Sequence, residues 1–180
     1  MDALNCAGFA VLVVAARDRR DSFAASGVGE ATTVVVRDNS GYDFGSWATG
    51  LHLAPFIAAA AHVVLTNDSI VGPFVDMAPF LAEAADSGAD VYAATANRQI
   101  APHLQSYLLG FTRGVLADRP LARFFRSIGP APSKMDYVRR YEVGLSTLLR
   151  NEGYGTYVKW LSPGWEREAD NRSLKDWRQL

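Results

Sequence analysis

Short apolar runs recur along the first half of the chain, separated by stretches with helical spacing. Four runs are rich in valine or other strand formers: residues 9–15, 32–36, 62–66 and 90–95. The first three are apolar nearly throughout, which is typical of strands buried on both faces of a parallel sheet. Helical stretches lie between them, at residues 18–26, 44–60 and 75–87. This alternation predicts an α/β domain with right-handed crossovers.

The pattern changes after residue 95. It then predicts, in order, a strand at residues 104–111, a helix at 116–128, a second helix from 133 to about 151 and a strand at 154–158. Ser133 is expected to be the N-cap of the second helix, and Gly153 to follow its end. We expect one domain over residues 1–161 and a polar tail over residues 162–180.

Composition and charge narrow the class of protein. Of the 180 residues, 49% are hydrophobic and 21% are charged, which is ordinary for a globular domain. The net charge of −1 does not favour nucleic acid as a partner. Cys6 is the single cysteine, which excludes an intrachain disulfide and a cysteine-based zinc site. No segment reads as a membrane-spanning helix, so we expect a soluble, cytoplasmic protein.

Ligands of open α/β sheets bind beyond the carboxyl ends of the strands, so the segments that leave strands are the candidate binding segments. The first of these contains Asn39, Ser40 and Gly41, which are turn formers, followed by Tyr42 and Asp43. A base or sugar could stack on the tyrosine while Asp43 accepts hydrogen bonds from hydroxyl groups. For an isolated loop, however, an aspartate that merely caps the next helix is the commoner case.

The second segment places Asn67, Asp68 and Ser69 directly after a strand. Oxygen-bearing side chains at that position can hold Mg²⁺ or Mn²⁺, and one carboxylate suits a metal whose other ligands are water and phosphate. An Asx-turn completed by Gly72 and Pro73 explains the same residues equally well.

The third segment is His103, Leu104, Gln105, Ser106 and Tyr107. If it is a strand, His103, Gln105 and Tyr107 share one face, which could bind sugar hydroxyls. A histidine at such a position is more commonly an ordinary hydrogen-bonded surface residue.

The fourth segment surrounds Glu142 in the predicted second helix. Glu142 lies beside the apolar stripe, where a partly buried glutamate can act as a general base. Gly144 weakens the helix, which indicates that another group approaches it closely. The alternative for Glu142 is a pair with Arg139 or Arg140 on a solvated face.

Taken in this order, the four segments resemble the rhamnan-synthesis F family of glycosyltransferase-like proteins of bacterial polysaccharide assembly. The similar pieces are Arg37 with Asn39–Trp47, then Asn67–Ser69 with Gly72-Pro73, His103–Tyr107, and Tyr141–Ser146. Each motif is modest by itself, and four motifs in register are specific. The resemblance covers residues 37 to about 154.

The resemblance implies a GT-A-like, Rossmann-like α/β fold with a mostly parallel sheet flanked by helices. Residues 1–16 read as a helix end and a strand that follow the family's first strand, so that strand is expected to be lacking. The implied donor is a nucleotide sugar such as dTDP-rhamnose, and the implied acceptor is a polysaccharide or lipid-linked glycan. These partners place the protein at the inner face of the cell membrane, in peripheral contact with it.

The resemblance also implies roles for individual residues. The residues that are implied to line the nucleotide-sugar pocket are Asn39, Gly41, Tyr42, Asp43 and Asn67. Contact with the donor sugar or the acceptor is implied for His103, Gln105, Ser106 and Tyr107. Asp68 would hold Mg²⁺ or Mn²⁺, and Glu142 would be the catalytic base. The alternatives are a non-catalytic sugar- or nucleotide-binding module, and an unrelated α/β protein in which the four segments do not converge.

Overall fold

Two separate sheets make up the strand content of residues 2–17, 32–69 and 72–161, the ranges that the computed structural model describes. The strands, in chain order, are β1 (Val11–Arg17), β2 (Thr32–Asp38), β3 (His62–Thr66), β4 (Val91–Asn97), β5 (His103–Leu104), β6 (Leu108–Thr112) and β7 (Thr156–Trp160). Strands β1 and β2 pair in parallel and form the smaller sheet. In the larger sheet, β6 lies between β3 and β4, and β4 also pairs with β5 and β7.

The expectation of a GT-A-like, Rossmann-like sheet with mostly parallel strands is wrong. The expected lack of the family's first strand stays a prediction. In the larger sheet, β6 is antiparallel to both β3 and β4, and β5 is antiparallel to β4. The pair β4–β7 is the parallel pair of that sheet. The parallel pair β1–β2 forms a sheet of its own.

The prediction failed because an apolar run reports burial and not strand direction. Both faces of the larger sheet are covered: Val91 and Ala93 of β4 belong to one core cluster, and Tyr92 and Ala94 to the other. The antiparallel strand β6 is buried at all five of its positions. A continuous apolar run therefore fits either strand direction once helices cover both faces of a sheet.

The helices lie where the sequence predicts them but are shorter. Within the described ranges they are α1 (Asp2–Cys6), α2 (Tyr42–Leu53), α3 (Ala78–Asp86), α4 (Arg119–Arg126), α5 (Lys134–Tyr137) and α6 (Gly144–Asn151), with a π-helical segment at Val138–Val143. Proline sets several of these limits, because it fits the first turn of a helix and disrupts the interior. Pro79 and Pro120 lie in the first turns of α3 and α4, and Pro55 begins a separate 3-10 turn after α2.

The predicted second helix is confirmed as one continuous helical stretch made of α5, the π-helical segment and α6. The backbone N–H of Asp136 donates to Ser133 Oγ over 3.2 Å, so Ser133 is the N-cap. Gly153 follows the helix end with a left-handed φ of 78°. The π-helical segment inside this stretch has no counterpart in the prediction.

One edge of the larger sheet collects the segments that the sequence singles out. Strands β3, β4 and β7 run in the same direction, so their carboxyl ends meet at that edge. Strand β6 runs the other way and begins there, with Leu108 opposite Thr66. The segment at Asn67, the turn before Leu108 and the end of β7 at Trp160 therefore lie along a single edge.

Two predicted elements fall outside the described residues, namely the helix at residues 18–26 and the tail at residues 162–180. Among the helices of the described ranges, none has both the length and the apolar composition needed to cross a lipid bilayer.

Candidate functional site

The loop between β2 and α2 is held by Arg37, a residue to which the sequence pattern gave no separate role. Its guanidinium donates to the carbonyl and the hydroxyl of Ser40 and, over 3.3 Å, to Ser46 Oγ. Gly41 and Tyr42 then adopt left-handed φ values of 87° and 47° in succession. Such backbone is costly for a tyrosine and is often found at functional sites. The turn places Asp43 in the first turn of α2.

Asn39 precedes this turn and lies at the end of the small sheet. Its backbone N–H donates to the carbonyl of Arg17 over 3.2 Å, which continues the β1–β2 ladder, and its side chain is exposed. The structure thus places Asn39 at the entrance to the loop and leaves its side chain available to a ligand.

Asp43 is paired with Asn67 and does not cap the helix. Gly41 is the N-cap of α2, and no side chain caps that helix. Instead, Asn67 Nδ2 donates to Asp43 Oδ2 over 2.8 Å. Asn67 Oδ1 accepts from the backbone N–H of Ser69 over 3.1 Å, so the Asx-turn is present as well. The capping interpretation of Asp43 is therefore wrong, and one asparagine joins the first two segments.

The carboxyl group of Asp43 lies in an electrostatically unfavourable place. Desolvation raises the pKa of Asp43 above its usual range, and the negative charge of nearby Asp68 raises it further. The hydrogen bond from Asn67 and the positive charge of Lys134 oppose this rise in pKa. Because the net direction is upward, ionised Asp43 costs folding free energy, which is common for groups kept for function.

Replacing Asp43 by asparagine is expected to stabilise the fold by roughly 1 kcal/mol at pH 7 while lowering activity. The asparagine keeps an oxygen for Asn67 and removes the buried charge. The raised pKa means that the native state holds its proton to higher pH than the unfolded chain does. The gain is therefore full at neutral pH and shrinks as the pH falls through that pKa, because protonated Asp43 is already neutral. Thermal melts from pH 3 to 8 measure this difference.

The exposed Asp86→Asn, the same change at the end of α3, is the matched control and should leave stability unchanged. A melting temperature of Asp43→Asn that equals or falls below that of the unchanged protein at pH 7 would contradict the account of Asp43.

Glu142 contacts two residues of the third segment. Ser106 Oγ donates to Glu142 Oε1 over 2.9 Å, and His103 Nε2 lies 3.6 Å from Glu142 Oε2. Glu142 belongs to the π-helical segment, a type of irregularity that is frequent at functional sites. The alternative of a solvated glutamate held by Arg139 or Arg140 is wrong, since Glu142 faces the sheet and contacts Ser106 and His103.

His103 is buried behind Glu142, with 3% of its surface exposed. Its Nδ1 lies 2.7 Å from the carbonyl oxygen of Ala101, and since a carbonyl can only accept, Nδ1 carries a proton. This bond fixes the ring so that Nε2 points at Glu142. Ser106 is buried too, with 6% of its surface exposed, so the structure places both residues behind the carboxylate.

The third segment is a turn and not a continuous strand, which corrects the prediction of a strand at residues 104–111. Strands β5 and β6 are separated by Gln105, Ser106 and Tyr107. Thr95 Oγ1 donates to Gln105 Oε1 over 2.5 Å and lies 2.8 Å from the hydroxyl of Tyr107. Thr66 Oγ1 donates to the Tyr107 carbonyl over 2.9 Å, which fixes this turn beside the end of β3.

No group approaches Gly144 closely, contrary to the interpretation of the sequence. A Cβ built there would meet nothing nearer than 3.7 Å outside the adjacent residues and the local helix backbone. The features that mark the neighbourhood of Glu142 are instead the π-helical segment and the contacts of the carboxylate.

Aromatic contacts join the Asp43 segment to the Glu142 segment. The ring of Phe44, next to Asp43, lies 5.8 Å from the ring of Tyr141, next to Glu142. The rings of Tyr42 and Tyr137 are 4.8 Å apart. Since Asn67 connects Asp43 to the end of β3, the four segments lie together at one edge of the larger sheet. The third alternative, polar turns that do not converge, is therefore wrong.

A cavity of about 680 Å³ lies on another face of α2, between α2 and α4. Its lining includes Arg37, Thr49, His52, Phe125 and Arg126. Among the candidate residues it contains Gly41 but neither carboxylate of the Asp43–Glu142 region. The carboxylates of Asp43, Asp68 and Glu142 therefore do not line this cavity.

Asp68 lies near Asp43 and does not belong to an enclosed cluster of metal ligands in the described ranges. No group of three or more His, Cys, Asp or Glu side chains suited to enclose a metal occurs in the described ranges. Asp68 is exposed, and its charge raises the pKa of Asp43, so the two carboxylates lie near each other. Mg²⁺ is commonly bound by one or two carboxylates together with substrate phosphates.

Comparison with known proteins identifies the family. The model of a protein family described as "Rhamnan synthesis protein F" matches residues 19–168 of the chain. Two curated relatives are both named virulence protein VirA, one from Vibrio anguillarum strain ATCC 68554 / 775 and one from Vibrio anguillarum. Each is 28% identical over 124 residues, which is 66% of this chain and 39% of the relative.

The chain thus spans about two fifths of the length of these curated relatives. No solved structure matches the chain at a significant level. The family match covers most of the chain and includes all four segments described above. The chain therefore belongs to the rhamnan synthesis protein F family, a family of polysaccharide synthesis.

Proposed function

We propose that this chain catalyses glycosyl transfer from a nucleotide-sugar donor to a polysaccharide or lipid-linked glycan acceptor. The proposed sugar is a deoxyhexose such as rhamnose. The observation that carries the proposal is the position of Glu142: Ser106 donates a hydrogen bond to its carboxylate, and the same turn is bonded through Tyr107 to Thr66, the residue before Asn67 of the Asp43–Asn67 pair. A base and a polar donor-binding group at one sheet edge are what a direct displacement between two sugars requires.

In the proposed reaction, Glu142 is the general base. Its carboxylate accepts the proton of the acceptor hydroxyl while the oxygen of that hydroxyl attacks the anomeric carbon of the donor. The bond from that carbon to the leaving diphosphate breaks, and the configuration at the anomeric carbon is inverted. Ser106 orients the carboxylate through its hydrogen bond to Oε1, and buried His103 lies beside Oε2.

The donor is proposed to bind between α2 and the end of β3. The exposed ring of Tyr42 offers a stacking surface for the base or sugar, and Asn39, Gly41, Asp43 and Asn67 offer hydrogen-bonding groups. Lys134, whose charge reaches Asp43, lies where it can contact a phosphate. Asp68, with Asp43 beside it, would hold Mg²⁺ or Mn²⁺, which when bound neutralises charge on the diphosphate.

Donor and acceptor also suggest where the proposed reaction takes place. A lipid-linked acceptor is embedded in a membrane, and nucleotide sugars are available on its cytoplasmic side. The proposed location is therefore the inner face of the cell membrane.

The test is turnover of dTDP-rhamnose by the purified full chain with a rhamnose oligosaccharide, with Mn²⁺ and with a chelator. We expect dTDP release that depends on both acceptor and Mn²⁺. Asp68→Asn should raise the Mn²⁺ concentration needed for half-maximal rate by at least tenfold, since a neutral amide is a weaker ligand. Asp86→Asn serves as the matched control and should not change it.

Full Mn²⁺ response in Asp68→Asn would remove the metal role of Asp68. Binding of the nucleotide sugar in calorimetry without any turnover would replace the transferase proposal by the non-catalytic binding module.

A further inference from the structure

The carboxyl end of β7 carries an exposed tryptophan that is held in place from behind. Trp160 keeps 54% of its surface exposed. Its ring is stacked on Phe80 of α3, with ring centroids 5.3 Å apart and an interplanar angle of 30°. Since Phe80 covers one side of the indole, the exposed part includes the opposite face.

Phe80 is itself fixed by the core. Its ring lies edge-on to Tyr92, with centroids 5.9 Å apart and an interplanar angle of 89°. Tyr92 is fully buried, and its hydroxyl is 2.7 Å from His62 Nε2. The indole therefore rests on a continuous column of rings that begins in the interior of the protein. A flat apolar surface supported in this way loses little conformational entropy when a ligand binds to it.

The register of the sheet places the backbone of Trp160 two strands away from the polar turn of the candidate site. Trp160 pairs with Thr95 on one side of β4, and the backbone N–H of Gln105 donates to the Thr95 carbonyl on the other side. The backbones of Trp160 and Gln105 are thus two strand spacings apart, roughly 10 Å. That separation is comparable to the length of two linked sugar rings.

Gln105 supplies hydrogen-bonding capacity on the other side of β4 from Trp160. Its Oε1 accepts from Thr95 Oγ1, which leaves the two N–H groups of the amide directed away from that bond. The side chain is half-buried, and Nε2 has no hydrogen bond in the described structure. A pyranose has an apolar face of C–H groups and a rim of hydroxyls, so an aromatic ring beside free amide donors matches its chemistry.

We infer that Trp160, supported by Phe80, is a stacking platform for a pyranose ring of the acceptor glycan, and that Gln105 binds a hydroxyl of the neighbouring sugar. The inference rests on the proposed function and adds to it the location of the acceptor. The glycan would run along the sheet edge from Trp160 towards Glu142, with its reacting hydroxyl at the carboxylate.

The experiment measures binding of a rhamnose oligosaccharide to the full chain by saturation-transfer NMR and calorimetry. Trp160→Ala should weaken binding by about tenfold through loss of the stacking contact. Trp160→Phe should recover most of the affinity, since a flat ring remains. The matched control is Phe56→Ala, which removes an aromatic ring that is 77% exposed on the 3-10 turn after α2 and should leave binding unchanged.

Equal affinity of Trp160→Ala and the unchanged protein, or absence of any oligosaccharide binding by the unchanged protein, overturns the inference. Measuring donor turnover in the same samples distinguishes failure of this inference from failure of the proposed function. Turnover with an unaltered acceptor KM in Trp160→Ala leaves the transferase and removes the platform. Binding through Trp160 without dTDP release leaves the platform and removes the transferase.

Discussion

Replacing Glu142 by glutamine is expected to lower kcat for transfer to the glycan acceptor by about a hundredfold to ten-thousandfold, the range associated with loss of a general base. Glutamine has the same shape and keeps an oxygen for Ser106, but its neutral amide cannot accept the acceptor proton. Because Glu142 contacts Ser106 and His103 and not the Asp43–Asn67 pair, the donor KM should change little. Release of dTDP from dTDP-rhamnose, with and without acceptor, gives both constants.

The matched control is Glu152→Gln, the same change at the exposed residue that follows α6. It should retain full activity. Retention of full activity by Glu142→Gln itself would contradict the role of Glu142. A large fall in melting temperature of that variant would instead indicate a structural role, since the buried Ser106 and His103 would then have lost a partner that the fold needs.

Ser106→Ala tests whether the hydrogen bond from Ser106 to the Glu142 carboxylate contributes to kcat. Ser106 donates to the carboxylate, so its loss leaves Glu142 free to rotate without removing the base. The expected pattern is a smaller fall in kcat than for Glu142→Gln. In the double variant Ser106→Ala/Glu142→Gln, the two losses of kcat should not add. A glutamine cannot accept the acceptor proton in any orientation, so losing the hydrogen bond that orients it has no further effect.

The sequence predicted where the strands and helices lie much better than how the strands are arranged. Strand positions follow from short apolar runs, and helix ends from Ser133 and the prolines, because these signals are local. Strand direction depends on which surfaces meet. Strand β6, with Gly110 in its middle and buried on both faces, carries the same apolar pattern as a parallel strand would.

The candidate site was likewise predicted in its positions along the chain but not in its contacts. The four segments could be picked out because polar residues at strand ends are unusual, and they do converge. Their partners could not be predicted: Asn67 bonds to a residue 24 positions away, and Ser106 to one 36 positions away. Such pairs are set by topology and not by local spacing. The π-helical segment that carries Glu142 was also missed, since the spacing of Tyr141, Leu145 and Leu149 is that of an ordinary α-helix.

Replacing Gly110 by alanine is expected to have the largest effect on stability. Gly110 lies opposite Tyr92 in the β4–β6 pair, and the tyrosine ring crosses directly over it. A Cβ at this position would lie 1.9 Å from the nearest ring carbon. Real carbon atoms in contact are about 3.5–4.0 Å apart, so the ring or the backbone would have to move.

The surroundings of Tyr92 prevent a simple displacement. The side chain is fully buried, lies edge-on to Phe80 and bonds through its hydroxyl to His62 Nε2 over 2.7 Å. Burial lowers the pKa of His62, which keeps the imidazole neutral and able to accept that bond. Moving the ring would therefore break the hydrogen bond to His62 and the edge-on ring contacts with Phe80 and His62 together.

We expect Gly110→Ala to destabilise the protein by about 3 kcal/mol, the upper part of the range for an overpacked core. For a chain of this size, that corresponds to a fall in melting temperature of roughly 6–12 °C. The control is Gly144→Ala, where the nearest atom would be 3.7 Å from the new Cβ. It should be neutral or stabilise by up to about 1 kcal/mol, because alanine favours a helix more than glycine does.

A double-mutant cycle with Tyr92→Leu isolates the proposed cause. Leucine removes the ring that crosses Gly110, so Gly110→Ala should cost less than about 1 kcal/mol in that background, although Tyr92→Leu is itself destabilising. Chemical denaturation of the four proteins gives the coupling free energy. An equal cost of Gly110→Ala in both backgrounds would mean that the clash lies with the backbone and not with the ring. In that case the glycine would be required by the pairing of β4 with β6, and the tyrosine would merely fill the space that it leaves.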